Sequence, residues 1–292
     1  MDALTNPTIP QAIDHWAASL GAAQSAWVVA YSGGVDSHVL LHACKHFQKN
    51  HPFIKLRAVH VNHQWLPEAN LFEQHAKRVC EDLSIPLNIY HVQSKPQSNE
   101  SFEAWARKER YALLEKDLKA DEMLLTAQTE DDQAETILMQ LIRGAGVKGL
   151  ASMGASKPFG KSELHRPLLS CKRTMILEYA KTHGLVWIED PSNQDTDYLR
   201  NYIRHHILAP LKQRIPGVTQ AMAQSARHCQ EHHALLSQYT ELDFNRVYCE
   251  KARALKQSEL IHLPFVRQKK VVRFWIARLG HLMPPMGRLE SF

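Results

Sequence analysis

An apolar run of strand type, Trp27 to Tyr31, stops abruptly at Ser32-Gly33-Gly34, and an amphipathic run with apolar residues at Leu40, Cys44 and Phe47 starts at Asp36-Ser37. That is a strand, a tight turn and a helix N-terminus. The pattern recurs down the chain. Leu56–Val61, Leu87–Val92 and Met123–Ala127 read as further strands, and Ser37–Gln48, Glu68–Leu83, Ser101–Leu118 and Glu130–Ile142 as the helices beside them. Strands alternating with helices of this length require a parallel sheet with crossover helices, so the fold class is α/β. Ligands of such sheets bind at the carboxyl ends of the strands. Ser32, His60-x-x-His63 and Thr126 onward all fall there, so three strands point to one cleft.

The first turn has its own chemistry. Two glycines free the backbone for a sharp bend and close approach to a bound group. The first amides of the helix lack intrahelical partners and sit at the positive end of its dipole, which makes the turn an anion site, usually for phosphate. The Gly-Lys-Ser/Thr ending of a Walker loop is missing, and so is G-x-G-x-x-G. Asp36 in the first helical turn would repel phosphate unless a divalent cation lay between them. The plainer alternative is an ordinary strand-to-helix turn capped by Asp or Ser.

Around Asp131 and Asp132 the acidic charge is dense: Glu130, Asp131, Asp132 and Glu135 lie within six residues at a helix start. Thr129 and Asp132 fit a capping box, and acids suit a helix N-terminus. Asp131 and Glu135, four apart, and Asp132 and Glu135, three apart, also share faces and repel. The excess predicts a metal or a cationic substrate. Elsewhere, Arg107 and Arg110 share a helix face with Glu103 one turn before Arg107, and an acidic turn at Glu189-Asp190 leads into a helix carrying Arg200 and Arg204. Paired arginines suit phosphate or carboxylate clamping, or, more plainly, salt-bridged helix faces.

The remaining segments are less regular. Pro10–Leu20 reads as a short helix, Gly144 to Gly154 as an irregular stretch, Lys172–Thr182 as a helix and Leu185–Ile188 as a candidate strand. After Pro216-Gly217 the chain turns Ala/Gln/His-rich with helical periodicity and no strand candidates. The expected domains are therefore 1–217 and a helical region, 218–292, whose last element opens at Pro284-Pro285 and is incomplete. Residues 1–150 hold 14 Lys and Arg against 18 Asp and Glu, whereas residues 151–292 hold 21 against 12. A basic half joined to an acidic half with a phosphate loop points to a polyanionic partner. Five scattered cysteines without C-x-x-C argue against a disulfide framework or zinc ribbon and favour a cytoplasmic protein. No apolar stretch approaches membrane-spanning length, so no membrane association is expected.

Ser32–Ser37 resembles the phosphate loop of the N-type ATP pyrophosphatases. Taken with Val59-His60-Val61-Asn62-His63, Glu103 to Tyr111, Asp131–Thr136 followed by Arg143-Gly144, Arg166–Leu169, Asp190–Asn193 and Arg200–Arg204, the chain from about residue 26 to 217 resembles the tRNA(Ile)-lysidine synthetases. The usual Thr-Ala-His-His before Asp-Asp is here Thr126-Ala127-Gln128-Thr129, and the Gly expected after His63 is Gln64.

The resemblance implies a nucleotide-binding domain of adenine-nucleotide α-hydrolase-like type, followed by a helical C-terminal region. It implies ATP and Mg²⁺ as cofactors, and free L-lysine and an isoleucine tRNA with a CAU anticodon as partners. By resemblance Ser32, Gly33, Gly34, Val35, Asp36, Ser37, Ala127 and Gln128 hold ATP, and Asp36 and Asp132 hold the metal. Asp36, Asp132 and Glu135 are the catalytic acids, Asp132 and Glu135 being the candidates for binding the lysine amine and taking its proton. Substrate contacts fall to Arg107, Arg110, Asp131, Arg143, Arg200, Asn201 and Arg204. The rivals are a tRNA 2-thiolation enzyme of the same superfamily, a small-molecule amidating ligase and a non-enzymatic RNA-binding module. A homodimer stays open.

Overall fold

The computed structural model describes residues 8–21, 24–65, 69–96, 98 and 101–281. The chain starts with α1 (Ile9–Ala18), whose first amides are held by a capping box between Thr8 and Gln11. It continues through β1 (Ala26–Ala30), α2 (Val35–Asn50), β2 (Lys55–Asn62), α3 (Ala69–Asp82), β3 (Leu87–His91), α4 (Phe102–Asp117), β4 (Glu122–Leu125) and α5 (Glu130–Ile142). The expected strands and helices of this stretch form within two residues of their expected ends.

After α5 the structure departs from expectation. A one-turn helix, α6 (Val147–Leu150), forms inside the expected irregular stretch, and beyond it comes a hairpin of β5 (Ser156–Phe159) and β6 (Ser162–His165) for which the sequence carries no strand expectation. Its strands are four residues each, polar, and include Pro158, so neither alternation nor apolar runs mark them. Leu185–Ile188, expected as a strand, joins no sheet. Its amide bond goes to the phosphate loop instead, Ile188 N donating to Gly33 O at 3.2 Å. Between the two lies α7 (Arg173–Thr182), and beyond Ile188 come α8 (Leu199–Tyr202), a π-helical turn (Ile203–Leu208) and α9 (Ala209–Arg214).

The six strands form one sheet in the order β3-β2-β1-β4-β6-β5, parallel except for the β5–β6 pair. β1 is buried and central, with β2 and β3 laid to one side and β4, β6 and β5 to the other. The direction of strand addition therefore reverses at β1, and the carboxyl ends of β1 and β4 bound the crevice where such sheets take ligands. One core packs Trp27 between Trp16 (ring centroids 4.7 Å apart) and Phe47 (5.3 Å). The other face of β1 packs Val28 with Val59, Leu124 and Leu164. Far from the crevice, Arg57 donates to Glu122 (Nε to Oε1, 2.7 Å) and Asp117 (2.6 Å), and Tyr90 also donates to Asp117 (2.7 Å), tying β2, β3 and β4 to the end of α4.

Packing divides the chain into two units, Met1–Ala145 with Ser152–Ala226, and Gly146–Ala151 with Arg227–Phe292. The division falls inside α10 (Val218–Val247). The start of that helix packs Met222 on Ala134, Ile203 and Leu208, and Thr219 Oγ1 donates to Glu130 Oε1 at 2.6 Å. The second unit has its own core of Phe244, Val247, Leu263 and Val271. It contains a small hairpin of β7 (Tyr248–Cys249) and β8 (Ala254–Leu255), which the absence of strand candidates did not foresee, then α11 (Gln257–Leu260) and α12 (Phe265–Arg278). The element expected to open at Pro284-Pro285 lies outside the described residues.

Candidate active site

The turn after β1 is built to leave the first amides of α2 open. Gly33 holds φ at +90°, and a Cβ there would come within 3.1 Å of Phe72 Cδ1. Gly34 is the N-cap and supplies no side-chain bond, so the expected alternative of a turn capped by Asp or Ser does not form. The Ser37 hydroxyl turns back into the loop, donating to Gly34 O (2.9 Å) and accepting from Ser32 N (3.2 Å). The loop is thus curled and fixed by its own serines, with the helix dipole aimed into the crevice.

Asp36 stands at that mouth. Arg173, from the start of α7, donates to its Oδ1. Burial pushes the Asp36 carboxyl above its ordinary range, Arg173 pulls it down, and the neighbouring Asp132 carboxylate pushes it up again. A second carboxylate that opposes the ionisation of Asp36 makes the site suited to a divalent cation, which would relieve that repulsion. Asp132 Oδ2 is used within its own helix, accepting from Thr129 N (2.8 Å) and Oγ1 (3.0 Å) in the expected capping box. Among the described residues its Oδ1 has only long ionic contacts, to Arg204 at 3.8 Å and Arg200 at 4.0 Å. Mg²⁺ takes one or two protein carboxylates with waters and phosphate oxygens, so the donor set fits. Among the described residues no group of three or more His, Cys, Asp or Glu could hold a metal by itself.

The other acids of α5 find partners within the protein, Asp131 and Glu135 in ion pairs and Glu130 in a hydrogen bond. Asp131 pairs with Lys212 at 2.7 Å. Glu130 is buried against Thr219. Glu135 is 1% exposed and receives Arg204 Nε at 2.6 Å, with Arg200 Nε at 3.7 Å. Burial works against the charge of Arg204, but the Glu135 carboxylate outweighs it and holds the guanidinium above its ordinary range. Neither Asp131 nor Glu135 lines the crevice.

The crevice itself, about 470 Å³, is lined by Ser32, Asp36 and Ser37, by Thr126, Ala127 and Gln128 at the end of β4, and by Asp132, Arg107, Arg110, Arg200, Asn201 and Arg204. Gly33, Gly34 and Val35 lie in the loop but off the lining. Thr126 Oγ1 donates to Gln128 Oε1 at 2.5 Å, so Gln128, where the resembling family has a histidine, is held at the rim. Asn201 serves the acidic turn: its Nδ2 donates to Ser192 O and Asp195 O, both at 2.8 Å. Arg143 caps the far end of α5, exposed, about 16 Å along the helix from Asp132. Arg166 is buried and donates to Gly154 O at 2.6 Å, so the Arg-Pro-Leu-Leu segment braces a turn.

The arginines fall into two classes. Arg200 and Arg204 have acidic neighbours. Arg107 and Arg110 have no ion pair among the described residues: Arg107 lies over the Tyr111 ring (4.9 Å) and Arg110 donates to His63 Nε2 (3.3 Å). The expected Glu103–Arg107 bridge does not form. His63 is pushed down to about 4 by burial and by Arg110, so it accepts as a neutral ring. Sequence reasoning missed Arg173, which lies 137 residues from Asp36 with no periodic signal joining them, and Trp65, which lines the crevice from a stretch without pattern.

A PP-loop domain family matches residues 5–211. The chain is 44% identical over 267 residues to a tRNA(Ile)-lysidine synthase of Coxiella burnetii, covering 91% of this chain and 59% of that protein. It is 41% identical over 271 residues to one of Pseudomonas fluorescens, covering 91% and 60%. The chain thus spans about 60% of the length of the curated relatives it matches. Among solved structures, a U34-tRNA thiolase from Methanococcus maripaludis superposes with a TM-score of 0.63 at 20% identity, over 77% of this chain and 79% of that one, a likeness of fold. No described helix is long and apolar enough to cross a membrane.

Proposed function

Because the chain belongs to the PP-loop family, whose domain binds ATP, we propose that it joins lysine to C2 of the wobble cytidine of a CAU-anticodon isoleucine tRNA, using ATP and releasing AMP and pyrophosphate. The observation that carries this reading is the meeting, in one crevice, of an uncapped phosphate loop, the Asp36–Asp132 pair and two arginines without carboxylate partners among the described residues. The identity to lysidine synthases across 91% of the chain supports the choice of reaction.

Each step asks something of these residues. The Ser32–Ser37 amides hold the phosphates of ATP. The cytosine O2 attacks the α-phosphorus, the α–β bridging bond breaks, and pyrophosphate leaves. Asp36 and Asp132 would hold Mg²⁺, which offsets the charge growing on that leaving group. The lysine ε-amine then attacks C2, and AMP leaves with the former O2. The amine arrives protonated, and Asp132, which lines the crevice, binds it and takes the proton. Glu135, behind Arg204, positions the two arginines. The basic second half carries the tRNA backbone, in a cytoplasmic protein.

The test is incubation with ATP, labelled lysine and CAU-anticodon isoleucine tRNA. Label should enter the tRNA in step with AMP release. Release of ADP, or AMP release without label in the tRNA, would overturn the assignment.

A further inference from the structure

Trp65 is 49% exposed and lines the crevice. Its ring packs on Phe102 and Trp105, each 5.8 Å away between centroids, and those two are 5.4 Å apart. Trp105 is buried and pinned, its Nε1 donating to Ser94 Oγ at 3.0 Å. Trp65 is therefore braced on an aromatic wall while nearly half its surface faces solvent. An indole left wet at a crevice mouth forfeits hydrophobic stabilisation that burial would give it, so a core role does not explain it.

Charge beside the wall narrows the occupant. Arg107 and Arg110 follow Phe102 and Trp105 on α4, line the same crevice as Phe102, and form no ion pair among the described residues. The His63 ring that contacts Arg110 packs on Trp105 at 6.0 Å and is neutral, so it orients the guanidinium without cancelling it. An aromatic face in the same crevice as arginines outside any ion pair among the described residues is the pairing that binds unstacked nucleotides, base on ring and phosphate on guanidinium.

We infer that Trp65 is a stacking platform for an unpaired base of the RNA substrate, with Arg107 and Arg110 holding the adjoining phosphate. The inference rests on the proposed reading that the substrate is a tRNA anticodon loop. ATP already has an anion site at Ser32–Ser37, on a different strand. A second anion site on α4 with its own base platform suits a polynucleotide rather than a mononucleotide.

The test measures binding, not turnover. A fluorescein-labelled anticodon stem-loop with a CAU loop is titrated at fixed salt with the full chain, as wild type, Trp65→Ala and Trp65→Phe, and ATP binding is measured on the same proteins. Loss of one stacked base weakens RNA binding by about 5- to 150-fold in Trp65→Ala. Trp65→Phe stays within about threefold of wild type, and ATP affinity is unchanged in both. RNA binding by Trp65→Ala equal to wild type would overturn the platform. So would a loss confined to ATP, which would assign the ring to adenine. Lysine is absent from these titrations, so failure of lysine transfer would count against the proposed reaction and leave this result standing.

Discussion

Arg204 lays its guanidinium along both oxygens of Glu135, Nε donating to Oε1 at 2.6 Å and NH2 to Oε2 at 3.2 Å. Glu135 is buried and Arg204 about one-third exposed. Removing one partner of a buried pair strands the other's charge, at a cost of roughly 3–5 kcal/mol. Because Arg204 reaches solvent, Arg204→Ala should lose about 3 kcal/mol in urea unfolding, the low end of that range. Arg107→Ala, which breaks no ion pair, should leave stability unchanged. Equal stability of Arg204→Ala and wild type would show that the pair does not hold α8 and its π-helical turn to α5.

Asp36 combines burial, Arg173 and a like-charged neighbour in Asp132. Asp36→Asn keeps its size while removing the charge proposed to hold Mg²⁺. Pyrophosphate release should fall by at least about 10²-fold, the scale of losing one electrostatic stabiliser of a transition state, and the Mg²⁺ concentration needed for half-maximal rate should rise. Full activity in the variant would rule out the cation role.

Gly33 and Gly34 separate two roles that look alike on paper. Gly33 sits at φ +90° with Phe72 where a Cβ would go, so Gly33→Ala should cost about 1–2 kcal/mol in left-handed strain and weaken ATP binding. Gly34 has ordinary φ, and the nearest atom to a Cβ is Ser32 Oγ at 3.7 Å, so Gly34→Ala should unfold like wild type. Thermal melts of both variants decide the matter: equal melting temperatures would contradict it.

Burial pushes His38, His42 and His63 down to about 4, from an ordinary value of 6.5. Between those values the unfolded chain binds more protons than the folded one, so stability falls as pH falls. The melting temperature should be level above pH 7 and decline steadily from about pH 6.5 to pH 5. A level or rising melting temperature on acidification would show that these rings are not neutral in the fold.

The sheet was legible because β1, β2 and β4 are apolar runs of ordinary length between helices of ordinary period. The hairpin of β5 and β6 was not, because Pro158 and its polar neighbours carry no strand signal and pair only with each other and β4. Leu185–Ile188 misled for the opposite reason: its residues are apolar, but its amide at Ile188 is taken by Gly33 O. On α5, helix spacing puts Asp131, Asp132 and Glu135 within about one turn of each other. It could not show that Lys212 and Arg204, 81 and 69 residues away, neutralise two of the three. Arg173 and Trp65 were invisible because what matters in each is a neighbour brought by the fold.

The sheet ends on β5, and Pro158 within it has no amide hydrogen to offer a further strand. Lys157 beside it adds charge along a strand only four residues long. These are the devices by which exposed edges resist strand-to-strand association. Growth of the sheet past β5, whether into a fibril or a sheet-extended dimer, is thereby blocked on that side. The hairpin that sequence reading overlooked acts as a stop on the β5 edge of the sheet.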